Sequence, residues 1–175
     1  TAAARLNYAQ GRYEYATRYY EKAATLMDSD FSSVAMLIAC YRSLGNQEGL
    51  RHAAQRTLAR AEKIAAQEPD NGMAMGYVVM SLIALGQGDR ARELAKRAML
   101  LDPDNLTMRY NFACGFVELK DTETALNLLG AVLEKDTLET VNWAKVDPDL
   151  DALRDHPRFK AMIEGAEKRL ATAAG

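Results

Sequence analysis

The sequence predicts an all-α fold, a right-handed stack of about four helical hairpins closed by a C-terminal capping helix. Three observations carry this. Gly86, Ala91 and Ala98 recur 34 residues later as Lys120, Ala125 and Val132. Pro69-Asp70-Asn71 and Pro103-Asp104-Asn105 are matching linkers at the same separation, each pairing a helix-incompatible Pro with a capping Asp or Asn. Phe159, Met162, Ile163, Ala166 and Leu170 form a one-sided helical stripe near the end of the chain, as a capping helix requires. A repeat of this length is one supersecondary unit that buries its apolar face only by stacking on its neighbours.

Residues 1 to 10 read as a short first helix that meets Gly11. Tyr13, Ala16, Tyr20, Ala23 and Met27 then follow helical spacing along a second helix. Tyr15 and Tyr19 form an aromatic pair on another face of that helix. Either they cover neighbouring turns, or they meet a second copy of the chain or an upstream repeat or domain. Phe31 to Ser43 is the next first helix, with Val34, Leu37, Ile38 and Tyr41 on one stripe and Leu44-Gly45 as its stop. Asn46 caps the following helix and Glu48 sits in its first turn. Gly45 to Gly86 exceeds the period by seven residues, with no breaker between Leu50 and Gln67, so the surplus lengthens that helix by about two turns. The repeat register holds through residue 136. Residues 137 to 175 form a separate segment: a short helix over Leu138 to Lys145, helix starts at Asp147-Pro148 and His156-Pro157, then the capping helix.

The 34-residue period and its apolar positions resemble the tetratricopeptide repeat. Met75, Val78, Val79 and Leu82 match the first helix of its pattern, Ala91 and Ala95 the second, and Pro103 the close of the unit. Arg109, Phe112, Ala113, Phe116, Ala125 and Leu129 occupy the same places in the next copy, while the aromatic that heads the pattern is replaced by Met75 and Arg109. Residues 147 to 159, from Asp147-Pro148-Asp149-Leu150 to Pro157-Arg158-Phe159, are similar to the closing segment of tetratricopeptide regions in bacterial signalling proteins, notably class III nucleotidyl cyclases and related regulators. Tyr110-Asn111-Phe112-Ala113-Cys114 looks like the repeat before that tail. The resemblance implies a non-catalytic scaffold for a protein or peptide partner. Its alternative is a regulatory or dimerising region of a larger signalling enzyme.

Composition agrees with a folded chain: 49% of its 175 residues are hydrophobic and only four are Pro, too apolar and too poor in Pro for a disordered one. A net charge of −2 supplies no basic footprint for nucleic acid or an anionic membrane. No apolar run approaches the roughly 20 residues of a membrane span, and the N-terminus lacks the basic and apolar regions of a secretory signal. Cys40 and Cys114 are too few for a disulfide framework, which favours a reducing cytoplasm. The opening at Thr1 rather than Met fits a processed form or a piece of something longer.

No constellation points to catalysis, a cofactor or a metal, and a small-molecule enzyme is the least supported class. Gly86-Gln87-Gly88-Asp89-Arg90-Ala91 satisfies G-x-G-x-x-A, but that fingerprint needs a strand before it and a helix stands there. Asp147, Asp149 and Asp151 mimic the start of a calcium loop whose later positions hold Ala152 and Arg158 instead of Gly and Glu, so helix capping explains them better. His52 and His156 lack metal-ligand neighbours. Cys40 and Cys114 lie among apolar residues, as structural thiols do.

Binding is the better expectation. In stacked hairpins of this family the first helices line a concave face. The residues that would point there are Arg5, Tyr8, Met36, Ala39, Arg42, Tyr77, Met80, Ile83, Tyr110, Asn111, Cys114 and Glu118. Only Arg5, Arg42 and Asn111 could grip a terminal carboxylate as some relatives do, and Tyr77, Met80 and Ile83 read equally well as core.

Overall fold

The computed structural model describes residues 2–27 and 31–173, and all its secondary structure there is helical. Thr1, where the first helix is expected to begin, lies outside these residues. The chain divides into two compact units, Thr1–Pro103 and Asp104–Gly175.

The first unit contains α1 (Ala2–Ala9), α2 (Tyr13–Leu26), α3 (Phe31–Ser43), α4 (Gln47–Gln67), α5 (Gly72–Ala84) and α6 (Gly88–Leu101). Each packs on the next, and α3 also packs on α5. The second unit contains α7 (Leu106–Glu118), α8 (Thr122–Leu133), α9 (Leu138–Ala144), a 3-10 turn (Pro148–Leu153) and α10 (Pro157–Ala173). There α7 packs on α8 and on the 3-10 turn, and α10 packs on α8 and α9.

One turn design makes every hairpin. Gly11, Gly45, Gly86 and Lys120 each adopt a left-handed conformation, with φ of 70°, 66°, 77° and 58°. In each case the left-handed residue's amide bonds the carbonyl three residues back, and the next amide bonds five back; Gly45 to Arg42 at 3.0 Å and Asn46 to Tyr41 at 2.9 Å are one such pair. This Schellman geometry satisfies the carbonyls left open at a helix end. Caps then start the next helices. Asn46, Asn71, Asn105 and Asp121 accept from the amides of Gly49, Ala74, Met108 and Thr124. Lys120 adopts a conformation that costs an L-residue about 1–2 kcal/mol. It is exposed, so Lys120→Gly removes that strain and no buried contact. After the glycine's extra unfolded-state entropy is subtracted, a gain of about 0.5–1 kcal/mol in chemical denaturation is expected; a loss of stability would show that the lysine side chain holds the turn.

The apolar residues that recur in the second helices of the repeat are fully buried. Ala91, Ala95 and Ala98 of α6, and Ala125, Leu129 and Val132 of α8, have no exposed surface. The seven-residue surplus is realised as helix, since α4 has 21 residues against 14 in α6. Its buried stripe of Leu50, Ala53, Ala54, Thr57 and Ala61 keeps its 3.6-residue period through the insertion. Glu21 ties three helices of the first unit together, accepting from Tyr41 of α3 at 3.2 Å and pairing with Arg56 of α4 at 3.0 Å.

Candidate functional site

Two places gather polar and aromatic side chains on the first helices, one in each unit. In the first unit Arg5 and Tyr8 lie on α1, Met36, Ala39 and Arg42 on α3, and Tyr77, Met80 and Ile83 on α5. Arg5 is exposed; Met36, Arg42, Tyr77 and Met80 are half-buried; Tyr8, Ala39 and Ile83 are buried. Tyr8 packs edge-on against Tyr13 across the first turn, with ring centroids 5.5 Å apart. Tyr77 crosses to the neighbouring helix, where its hydroxyl donates to Ser32 Oγ at 3.2 Å.

Beneath this surface is Tyr20 of α2, whose hydroxyl is enclosed without a hydrogen-bond partner among the described residues. Burial, then the neighbouring Cys40, raises its phenol well above the ordinary value; Arg5 opposes this and Tyr77 adds to it. The structure therefore brings Arg5, Cys40 and Tyr77 around one buried phenol. That phenol is neutral at any ordinary pH and available only as a hydrogen-bonding group.

In the second unit Tyr110, Asn111, Cys114 and Glu118 lie on α7. Asn111 is half-buried and Glu118 exposed, but Tyr110 and Cys114 are only 9% and 7% exposed. Their cover is the chain's own segment at Asp147. The Tyr110 hydroxyl donates to Asp147 Oδ2 at 2.8 Å, and Cys114 Sγ lies 4.0 Å from the same oxygen. Asp147 Oδ1 accepts the Asp149 amide at 3.1 Å, capping the 3-10 turn, and Trp143 adds a side-chain hydrogen bond. Arg154 closes the segment on itself, donating to the carbonyls of Lys145 and, at 2.6 Å, Asp147. Burial, then the negative charge of Asp149, pushes the Asp147 carboxyl up to about 6, against the pull of its hydrogen bonds. Burial, then Cys114 and Asp147, holds the Tyr110 phenol far above its usual range, so it remains a donor.

Sequence reasoning reads Asp147 as a helix cap and Asp147 and Arg154 as part of the tail motif, with no contact to α7, and passes over Trp143. The signal was present in part, since Asp before Pro marks a helix start. Its partner on α7 is 37 residues away, a distance local pattern does not bridge.

A groove of about 740 Å³ also runs between α8 and α10, lined by small residues including Gly130, Ala131, Ala161 and Gly165. Its arginines are engaged, Arg158 with Asn127 and Glu123, and Arg169 with the carbonyls of Leu133 and Asp136. Among the described residues no group of three or more His, Cys, Asp or Glu could hold a metal ion, and no helix is long and apolar enough to cross a membrane. Cys40 and Cys114 are buried. No protein-family model matches the chain, and no curated protein matches its sequence.

Proposed function

We propose that the chain is a non-catalytic protein-interaction module of tetratricopeptide type, which receives an extended or helical segment of a partner on its first helices. The observation that carries this reading is the surface of α3 and α5. These two helices pack side by side and leave Met36, Tyr77 and Met80 half-exposed, with Arg5 exposed on α1. Aromatic and thioether side chains beside a cation suit an apolar anchor from a partner, and Met lets one surface accept differing shapes. The four equivalent turns and the 34-residue period support the repeat assignment. Two buried cysteines, too few for a disulfide framework, suit a cytoplasmic scaffold.

Partners captured from native extract and identified by mass spectrometry should be lost with Tyr77→Ala and with Met80→Ala. Each aromatic or thioether anchor truncated at a binding centre typically costs about 2 kcal/mol, a weakening of roughly 30-fold. Melting measured on the same samples separates a lost contact from a lost fold. Undiminished capture by both variants, with loss on Tyr15→Ala and Tyr19→Ala instead, would move the site to the exposed aromatic face of α2.

A further inference from the structure

The Pro148–Leu153 turn is seated on α7 through one acidic side chain that is 4% exposed. The donors that reach the Asp147 carboxyl are neutral groups: the Tyr110 hydroxyl from α7, an indole from α9 and the Asp149 amide, with the Cys114 thiol close by. Two nearby cations are engaged by other groups: Arg154 donates to backbone carbonyls and the Asp151 carboxylate, and Lys145 pairs with Glu167 at 2.7 Å. Asp149 and Asp151, both on the turn itself, add negative charge. A carboxylate so placed is disfavoured relative to its protonated form, because burial removes water and Asp149 adds a like charge.

We propose that the 148–153 turn is a proton-sensitive latch, whose seat on α7 tightens when the Asp147 carboxyl carries a proton and slackens when it ionises. The direction follows from linkage. Seated, the carboxyl titrates at about 6; released into water it returns towards its ordinary 3.8. The seated form therefore binds more protons between those values. The seating equilibrium strengthens as pH falls through about 6, by roughly tenfold from pH 7 to pH 5, and is level above pH 7. Release uncovers Tyr110 and Cys114 beside Asn111 and Glu118. That consequence rests on the partner-binding reading above, whereas the latch does not.

Amide hydrogen exchange on the full chain, corrected for the intrinsic pH dependence of exchange, tests it. Protection of residues 147–154 should rise about tenfold from pH 7 to pH 5 in the natural protein. It should stay level in Asp147→Asn, which keeps the size and one acceptor oxygen without the charge. His156→Gln, which removes the nearest imidazole in sequence, should retain the rise. Equal protection at the two pH values, or a rise that survives Asp147→Asn or disappears in His156→Gln, would overturn the latch. Should Asp147→Asn fail to fold, carbon-13 NMR of the Asp147 carboxyl in the natural chain decides: a midpoint near 6 supports the proposal, and one near 4 defeats it.

Discussion

Truncation after Val146 should collapse the second unit. The removed segment carries Leu150, Leu153, Phe159 and Ile163, each at most 9% exposed, and Ala166 at 4%. Four such apolar side chains at about 1.5–3 kcal/mol each give a gross contribution of roughly 6–12 kcal/mol. A compact unfolded state and the entropy of ordering the segment reduce this severalfold. If a third survives, about 2–4 kcal/mol, the midpoint of a unit this size falls by roughly 10–30 °C. The segment also terminates α8, since Arg169 donates to the carbonyls of Leu133 and Asp136 at 3.2 and 2.7 Å, near the negative end of that helix. The exposed Lys145–Glu167 pair adds little by comparison. Trp143, the chain's one tryptophan, remains in the truncated protein and reports on this unit alone. Its fluorescence melt and light scattering should show a lower midpoint and aggregation. An unchanged melt from a monodisperse fragment would mean that residues 147–175 are an independent appendage.

The hairpins were legible because their signals are local. Gly11, Gly45 and Gly86 stop helices by backbone conformation, Asn46, Asn71 and Asn105 start them, and Lys120 was placed by spacing alone, although it is not the residue a left-handed turn favours. The surface proposed to face a partner was less legible. Nine of the thirteen residues of α5 are buried, so apolar periodicity does not say which side is open. Tyr8, expected on that surface, is instead 1% exposed against Tyr13, a contact made across a turn by two residues that a helical stripe does not pair. Tyr110 was assigned to the same surface, and what covers it is an aspartate from the tail. Aspartates are nearly always solvated, so nothing in the pattern marks Asp147 as buried.

Tyr110→Ala should be the most damaging single change on the first helices. Removing a buried aromatic side chain costs about 3–5 kcal/mol, and here it also strips the Asp147 carboxyl of its hydroxyl donor. Tyr110→Phe isolates that second effect. A hydrogen bond to a charged acceptor contributes about 1.5–3 kcal/mol, so the loss at pH 7 should fall in that range. The pH dependence fixes the cause. Asp147 has a folded value of about 6, above its ordinary 3.8, so the folded chain binds the extra proton between them and stability from this group rises as pH falls. Losing the Tyr110 hydroxyl removes one influence that lowers the folded value, which moves the upper edge of that window further up. Tyr110→Phe should therefore cost more at pH 7 than at pH 5, where Asp147 is largely protonated in the folded natural chain. A double-mutant cycle with Asp147→Asn, followed by urea denaturation monitored at Trp143, measures the coupling directly. Coupling above about 1 kcal/mol at pH 7, shrinking towards pH 5, is the expected result. A Tyr110→Phe penalty that is small, independent of pH and unaltered by Asp147→Asn would mean that Tyr110 acts by packing alone, and that the tail is seated on α7 by its leucines.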